Sequence, residues 1–275
     1  MLPMTPSLLA ALGHAAPRLT AEIHGTLDST NTLARTRAKE DVPALYIARA
    51  QTGGRGRLGR SFHSPADTGL YMTVAYTTDR PLTEAVRVTA AASVAACAAI
   101  EALTDRRPAI KWVNDLYLGE CKIGGILTEA ISRGDGTHRM IVGWGINLTT
   151  ASFPEGLRAP ASCLFAQGDA PEELTVFADT LAGEIARRLL ELAEVIPHCP
   201  LPSGMWGEAC LKFYRRRLLW AGDTVTCTRG SESFEGTLLG VDGDYSLLVE
   251  TGGRMLTLSS GEISVRSIRR PGEKF

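Results

Sequence analysis

The sequence QTGGRGRLGR, residues 51–60, places four glycines and three arginines in a chain whose formal net charge is only −1. Glycine at this density cannot hold a regular helix or strand, because it loses the most backbone freedom on folding and packs no side chain. It does allow successive backbone N–H groups to converge on an anion, which arginine side chains can then enclose. The segment therefore predicts an anion-binding loop. The alternative is a solvated basic loop, since charge runs usually lie at the surface.

Two common phosphate-binding motifs do not fit this loop. Its last glycine is not followed by a lysine and a Ser or Thr, so it is not a P-loop. Gly54, Gly56 and Gly59 match GxGxxG, but arginines lie inside the motif and no helical pattern follows Arg60. A dinucleotide-binding turn is therefore a poor interpretation.

The segments around the loop predict an α+β fold. A strand is predicted at 42–50, directly before the loop, and strand ends commonly carry binding loops. Alternating or short apolar runs predict further strands at residues 21–27, 69–76 and 140–148, with two more in 108–130 joined by a hairpin at Gly119 and Glu120. Helices are predicted at residues 33–40, 82–103, 171–195 and 205–217, after a short docking helix that buries Leu8, Leu9 and Leu12.

The C-terminal part of the chain has a different pattern. Five short strands separated by turns are predicted at residues 224–228, 234–241, 245–250, 254–258 and 263–265, which is typical of a small barrel. We therefore expect a large domain at residues 1–220 and a small one at residues 221–275.

Composition describes an ordinary globular protein, with 44% hydrophobic and 21% charged residues. We see no apolar run that approaches the roughly 20 residues needed to span a bilayer, and no basic start of a signal peptide. The six cysteines and five histidines show no C-x-x-C pair and no metal-ligand spacing, which favours a reducing cytoplasm and no resident metal. The near-zero net charge argues against bulk nucleic-acid binding.

Two later segments repeat the combination of glycine and polar residues. Within 108–130, paired glycines interrupt what is otherwise a good strand, and within 140–148 two glycines flank a tryptophan. Such notches let a ligand or another chain segment approach the backbone. The residues concerned are Lys111, Asn114, Asp115, Lys122, Gly124, Gly125, Gly143, Gly145 and Asn147. Asn114, Asp115 and Asn147 could hold a hydrated Mg²⁺ or the edge of a heterocycle.

The set contains cations, amides and one carboxylate but no obvious nucleophile. The chain has no G-x-S-x-G and no H-E-x-x-H motif. These residue types suit phosphoryl or nucleotidyl chemistry, in which catalysis is mainly positioning and charge stabilisation.

Together these segments resemble the biotin protein ligase (holocarboxylase synthetase) family. The matching motifs are Ser29-Thr30-Asn31, Gln51 with GRGRLGR, KWVNDLYLGECKIGGILTE, GWGIN, and SSGEISVRS near the C-terminus. Val113 stands where the family has proline in K-W-P-N-D, and Phe62 where it often has tryptophan. The chain also shows no N-terminal winged-helix module, so it resembles the monofunctional members, and we expect no operator DNA binding.

The resemblance implies a fold and a reaction. The fold is a mixed or antiparallel sheet flanked by helices, a class II synthetase-like catalytic core, followed by a small C-terminal SH3-like β-barrel. The reaction uses ATP with Mg²⁺ to convert biotin to biotinyl-5′-AMP. It then transfers the biotinyl group to a lysine of a biotin carboxyl carrier domain. A homodimer through a sheet edge is compatible with the resemblance, although the sequence does not demand one.

The resemblance also implies roles for individual residues. Catalytic roles fall to Lys122, Arg57 and Asp115. Biotin would be bound by Ser29, Thr30, Asn31, Gln51, Gly54, Arg55, Gly56, Arg57, Lys122, Gly124 and Gly125. The nucleotide would be bound by Phe62, Asn114, Asp115, Lys122 and Asn147. No permanent metal is expected, and Mg²⁺ would arrive with ATP, near Asn114 and Asp115.

Several of these residues have plainer alternative roles. Ser29 and Thr30 could simply cap a helix. Trp112 and Trp144 are expected to be core residues, Glu129 a strand carboxylate and Lys111 a structural partner of Asp115. Two other function classes also stay open: a lipoyl- or octanoyl-transferring relative, and a nucleic-acid module suggested by the basic runs at 215–217 and 266–270.

Overall fold

A seven-stranded sheet organises most of the computed structural model, which describes residues 1–157, 159–195, 207–229, 231–259 and 263–267. Its strands are β1 (Thr20–Leu27), β2 (Ala44–Gln51), β3 (Gly69–Thr78), β4 (Ala109–Lys111), β5 (Asp115–Leu118), β6 (Cys121–Ser132) and β7 (His138–Asn147). Their order is β1-β2-β3-β7-β6-β5-β4. β1 and β2 pair in parallel and the other neighbours pair antiparallel, so the predicted mixed sheet is confirmed.

The described part of the chain contains five α-helices. They are α1 (Pro6–Leu12), α2 (Thr30–Thr36), α3 (Ala85–Leu103), α4 (Leu174–Leu192) and α5 (Glu208–Arg217). The main core lies between the sheet and α3 and α4. A smaller apolar cluster lies between α2 and the opposite face of the sheet. A cavity lies beside α2 on that same face.

The apolar segment Leu82–Leu103 corrects one prediction. Its length of 22 residues and mean hydropathy of 1.6 would suffice to cross a membrane. The prediction that the sequence contains no apolar run of such length was therefore wrong. The structure explains the composition differently, because 67% of its most apolar window is buried inside the molecule. The alanine-rich helix α3 packs against β6 and α4 as a core helix.

A second sheet follows at the C-terminal end. Its strands are β8 (Thr224–Arg229), β9 (Glu232–Val241), β10 (Leu247–Thr251), β11 (Arg254–Leu258) and β12 (Ile263–Ser267). They are antiparallel in the order β11-β10-β9-β8-β12, which confirms the predicted small all-β unit. SH3-like closure and a domain boundary at residue 220 stay predictions.

The two sheets share a continuous hydrophobic core. The Trp112 indole Nε1 donates to the Tyr245 carbonyl at 2.8 Å, and the rings of Tyr214 and Tyr245 pack edge to face at 5.2 Å. The small sheet is therefore held against the end of the large one at β4.

Three local predictions differ from the structure. Leu8 and Leu12 are buried, but Leu9 is 40% exposed, because α1 presents a narrower apolar face to α4. The segment 108–130 forms three strands rather than two, since the chain turns at 112–114 and pairs Lys111 with Asp115. The helix predicted at 33–40 begins earlier, at Thr30.

Parts of the predicted helix at 205–217, the SSGEISVRS motif and the 266–270 basic run lie outside the described residues.

Candidate functional site

A cavity of about 170 Å³ lies on the face of the large sheet that carries α2. Three glycines form part of its floor, on strands β6 and β7. Gly125 pairs with Gly145 across the two strands, and Gly143 pairs with Thr73 of β3. Directly paired residues point to the same side of a sheet, so this register leaves one area of the floor without side chains.

The floor glycines also admit neighbouring chain segments. A Cβ at Gly143 would lie 2.0 Å from Asn31 Oδ1, and one at Gly145 would lie 2.5 Å from the Phe62 ring. At Gly125 the nearest atoms would be Asp115 Oδ1 and Lys122 Nζ, both at 3.3 Å. The glycines therefore bring an amide, an aromatic ring and an ion pair close to the sheet.

The glycine–arginine loop folds back on itself above this floor. Gly56 N–H donates to the Arg60 carbonyl at 2.7 Å, and Phe62 N–H donates to the Gly54 carbonyl at 2.8 Å. Leu58 is at the tip, with φ of 58° and 67% exposure. These amides bond within the loop instead of converging on open space. The predicted attraction for anions thus falls mainly to the guanidinium groups.

Charge is unevenly distributed around the cavity. Among the described residues that line it, Asp115 is the one carboxylate, against five cations. The cations are Arg55, Arg57, Arg60, Lys111 and Lys122. Lys122 Nζ donates to Asp115 Oδ1 at 2.7 Å, and Arg57 Nη1 donates to Asn114 Oδ1 at 3.0 Å. The excess of positive charge suits a polyanionic ligand.

Two of these cations are partly desolvated. Burial lowers the pKa of Lys111, and the negative charge of Asp115 partly offsets that effect. The Lys111 ammonium lies 5.4 Å from the Trp220 ring centroid and 5.9 Å from that of Tyr117. Burial also lowers the pKa of Arg57. An anion in the cavity would relieve the cost of holding these charges away from water.

A neutral polar group of residues lines another part of the cavity, beside α2. Gln51 Oε1 accepts the Thr30 N–H at 2.8 Å, and Gln51 Nε2 donates to Ser64 Oγ at 3.1 Å. Ser29 occupies the N-cap position of α2, but its side chain makes no capping bond. Thr30 and Asn31 are only 3% and 4% exposed. This part of the cavity can pair with a buried, uncharged polar ligand group.

Comparison with known proteins identifies the family. The biotin/lipoate A/B protein ligase family matches residues 25–147. The chain is 31% identical over 217 residues to the biotin–[acetyl-CoA-carboxylase] ligase of Paracoccus denitrificans, covering 75% of this chain and 83% of that protein. It is 30% identical over 252 residues to the bifunctional ligase/repressor BirA of Bacillus subtilis, covering 88% and 73%. The chain belongs to the biotin protein ligase family.

A solved structure of the family supports the same conclusion. The biotin protein ligase of Aquifex aeolicus, in complex with biotin and ATP, superposes with a TM-score of 0.71 at 25% identity. The match covers 90% of this chain and 99% of that one. The ligase-family fold expected from the sequence is therefore confirmed along nearly the whole chain.

Most of the residues to which the biotin protein ligase resemblance gave roles meet at this one cavity. Those that line it are Ser29, Thr30, Asn31, Gln51, Arg55, Gly56, Arg57, Phe62, Asn114, Asp115, Lys122 and Gly125. Trp112 and Trp144 are buried, as expected, yet each also contributes to the lining. The individual roles stay predictions.

Three residues with predicted roles do not line the cavity. Gly54 packs against the Phe62 carbonyl, where a Cβ would lie at 2.4 Å, and a Cβ at Gly124 would lie 2.6 Å from the Gly145 carbonyl. Asn147 is 5% exposed, and its amide donates to the Ser162 carbonyl at 3.1 Å. Each of the three has a structural reason for its residue type.

Some lining residues had no predicted role in the ligase site. Arg60 belongs to the GRGRLGR motif, so the sequence already points to it. The sequence predicts Lys111 only as a structural partner of Asp115. Val265 comes from β12 of the small sheet, and a lone valine carries no signal of such a position.

Asn114 and Asp115 do not fit a resident magnesium site. Asn114 Oδ1 accepts from Arg57 and Asp115 Oδ1 accepts from Lys122, so both oxygens already face cations. Within the described ranges, no cluster of three or more His, Cys, Asp or Glu residues could hold a metal ion.

Proposed function

We propose that this chain activates biotin with ATP and attaches it to a lysine of a biotin carboxyl carrier domain. A biotin carboxylate oxygen attacks the α-phosphorus of ATP, pyrophosphate leaves, and biotinyl-5′-AMP forms. The lysine amine of the carrier then attacks the acyl carbon, loses a proton and releases AMP. One observation carries the proposal: a strongly cationic wall and a neutral hydrogen-bonding pocket share a single glycine-floored cavity.

The cationic wall answers the main physical difficulty of the first step. Two anions, a carboxylate and a triphosphate, must approach within bonding distance, and fixed positive charge offsets their repulsion. Lys122 lies over Gly125 and is oriented by Asp115, so we assign it to the biotin carboxylate and the charge that develops at the α-phosphate. Arg55 and Arg57 enclose the same region from the loop.

The neutral pocket suits the ureido ring of biotin. That ring carries a carbonyl and two N–H groups, which need polar partners once they are buried. Ser29, Thr30 and Gln51 offer hydroxyl and amide groups at the cavity wall. We assign the bicyclic body to the floor at Gly125, where the nearest atoms to an added Cβ would be 3.3 Å away. The nucleotide then falls to Phe62 and Asn114, with Mg²⁺ entering as part of the ATP substrate.

The direct test is transfer of labelled biotin. Purified protein, ATP with Mg²⁺ and a biotin carboxyl carrier domain should give a labelled carrier, while a carrier whose acceptor lysine is changed to alanine should stay unlabelled. Labelled lipoate and octanoate run in parallel, because the family that matches residues 25–147 includes lipoate ligases. Label from lipoate or octanoate but not from biotin would reject the proposal in favour of that alternative.

The finer properties are part of the same proposal. The natural acceptor is the carrier domain of an acetyl-CoA carboxylase, the substrate named for the Paracoccus denitrificans relative, and the reaction takes place in the cytoplasm. Residues 1–275 bind no operator DNA, which a gel shift at physiological salt checks. Dimerisation through a sheet edge is a separate hypothesis, to be decided by light scattering with and without biotin and ATP.

A further inference from the structure

The backbone of Lys122 is held by a short segment, residues 160–162, that lies outside the seven strands. β5 occupies one edge of β6 at Lys122, but β7 pairs with β6 only from Gly124 onwards. Segment 160–162 occupies the edge that β7 leaves open. Lys122 N–H donates to the Pro160 carbonyl at 2.8 Å, and the Lys122 carbonyl accepts the Ser162 N–H at 2.9 Å. Both backbone polar groups of Lys122 are therefore bonded to this segment.

The segment is itself attached to the end of β7 by Asn147. The Asn147 side-chain amide donates to the Ser162 carbonyl at 3.1 Å, and the Asn147 carbonyl accepts the Leu164 N–H at 2.8 Å. A backbone carbonyl can only accept, so the NH₂ group of Asn147 must face it. Asn147 is 5% exposed and does not line the cavity. Two consecutive hydrogen bonds thus connect its amide with the backbone of Lys122.

The anchoring of its backbone bears on how Lys122 can act. A lysine ammonium lies at the end of a flexible four-carbon stem, and the bond to Asp115 at 2.7 Å fixes only the far end of that stem. Segment 160–162 fixes the near end. A shift of about 1 Å in a reacting group can lower a rate by about 10²-fold. The two attachments together therefore determine where the ammonium group meets an anion.

We propose that segment 160–162 positions Lys122 for adenylate formation, and that Asn147 is the positioning residue that holds the segment in place. The inference rests on the proposed function, in which Lys122 contacts the biotin carboxylate and the α-phosphate. It also gives Asn147 a role that differs from the nucleotide contact implied by the family resemblance. The Asn147 amide acts on the reaction through the backbone of Ser162.

Two substitutions at one position test the contact between the segment and Lys122. Ser162→Pro removes the N–H that bonds to the Lys122 carbonyl, whereas Ser162→Ala keeps it. At saturating biotin and ATP, Ser162→Pro should slow single-turnover formation of biotinyl-5′-AMP by about 10–10²-fold, and Ser162→Ala by less than about twofold. A normal rate in Ser162→Pro would overturn the proposal.

A double-mutant cycle separates an effect on Lys122 from general damage to the site. Once Lys122 is replaced by alanine, the segment has no ammonium group left to position. Ser162→Pro introduced into Lys122→Ala should therefore slow the residual formation of adenylate by less than about twofold. An equal loss of rate in the wild-type and Lys122→Ala backgrounds would contradict the proposal.

Asn147→Leu tests the attachment of the segment to β7. Leucine has a similar shape and no charge, but it cannot donate to the Ser162 carbonyl. We expect adenylate formation to slow as in Ser162→Pro, with KM for ATP changed by less than about twofold and no further loss in Lys122→Ala. A rise in KM for ATP that persists in the Lys122→Ala background would overturn this role and assign Asn147 to the nucleotide.

Amide hydrogen exchange tests the same contact without any substrate, and it applies even if Ser162→Pro fails to fold. Nuclear magnetic resonance of protein labelled with ¹⁵N-lysine follows the Lys122 N–H. Its exchange should be at least about tenfold faster in Asn147→Leu than in wild type and Ser162→Ala. Equal protection in Asn147→Leu would overturn the proposal. Normal protection in a wild-type protein that forms no biotinyl-5′-AMP would instead reject the proposed function.

Discussion

Lys122 Nζ lies 2.7 Å from Asp115 Oδ1, directly above the backbone of Gly125. Asp115 and Gly125 are paired across the β5–β6 ladder, so the sheet register itself holds this ion pair on the cavity floor. The carboxylate orients the ammonium group without burying it completely, since the two side chains are 31% and 22% exposed. Lys122 is thus positioned to contact an incoming anion.

Replacement of Lys122 should stop the first chemical step. We expect Lys122→Ala to slow single-turnover formation of biotinyl-5′-AMP by about 10²–10³-fold, as is typical when one preorganised charge is removed from a reaction centre. Quenched-flow detection of the adenylate measures this rate. Lys39→Ala, at an exposed lysine remote from the cavity, is the control and should behave as wild type. Adenylate formation at the normal rate in Lys122→Ala would exclude the assigned role.

The lowered pKa of Lys111 should make ATP binding depend on pH. Burial lowers its pKa below the usual 10.5, and an anion needs the charged form. The KM for ATP should therefore increase as the pH rises through the lowered pKa, before an ordinary lysine would titrate. In Lys111→Arg this increase should disappear, because a guanidinium stays charged. Identical pH profiles for the two proteins would show that Lys111 does not contact the nucleotide.

The titration of Lys111 should affect stability in the opposite direction: the protein should become more stable over the pH range in which ATP binding weakens. Between the lowered pKa of folded Lys111 and its usual pKa in the unfolded chain, the unfolded state binds more protons. The contribution of Lys111 to the free energy of unfolding therefore rises with pH in that interval. Urea unfolding of wild type and Lys111→Arg across the alkaline range measures the difference.

The floor glycines should tolerate no side chain. A methyl group at Gly145 would lie 2.5 Å from the Phe62 ring, so Gly145→Ala should displace that ring and raise KM for ATP by about tenfold or more. Gly25→Ala on β1 is the matched control, because no atom lies within 4 Å of its added Cβ. If steady-state kinetics give the same KM for ATP in both variants, Phe62 is not part of the nucleotide site.

A buried ion pair between Arg49 on β2 and Asp179 on α4 should contribute strongly to the free energy of unfolding. Asp179 on α4 is completely buried, and its two oxygens accept from Arg49 at 2.7 and 2.9 Å. Asp179→Ala would leave Arg49 without this partner and should lower the free energy of unfolding by about 3–5 kcal/mol. Asp169→Ala, which breaks an exposed pair with Arg106, should change it by less than about 1 kcal/mol. Urea unfolding that shows equal effects would contradict the assignment.

Sequence patterns were sufficient for the elements whose signal is local. The β5–β6 hairpin follows from Gly119 and Glu120, and α3 from a long alanine-rich run with strong helix propensity. The glycines and charged residues that line the cavity were found because glycine and charge stand out in a chain of average composition. Ser29, Thr30, Gln51 and Phe62 were predicted only from the resemblance to the ligase family. Leu9 and the additional strand β4 were missed because they depend on what α1 and residues 112–114 pack against.

The parts that escaped prediction depend on tertiary contacts. Thr73 is an ordinary strand residue in the sequence, and it reaches Asn31 because α2 packs against β3. The amide of Asn147 bonds to the Ser162 carbonyl, an orientation that the GWGIN motif does not specify. Glu129 was expected to be only a strand carboxylate, yet it contacts Arg35, Arg55 and Asn31.

The central claim is that one cationic, glycine-floored cavity brings biotin and ATP together and joins them. Pyrophosphate exchange into ATP tests it most directly, because the exchange requires reversible formation of biotinyl-5′-AMP and no carrier domain. We predict exchange with the wild-type protein that depends on added biotin and is lost in Lys122→Ala. Exchange that is absent at saturating biotin, or that proceeds equally well without it, would contradict the account.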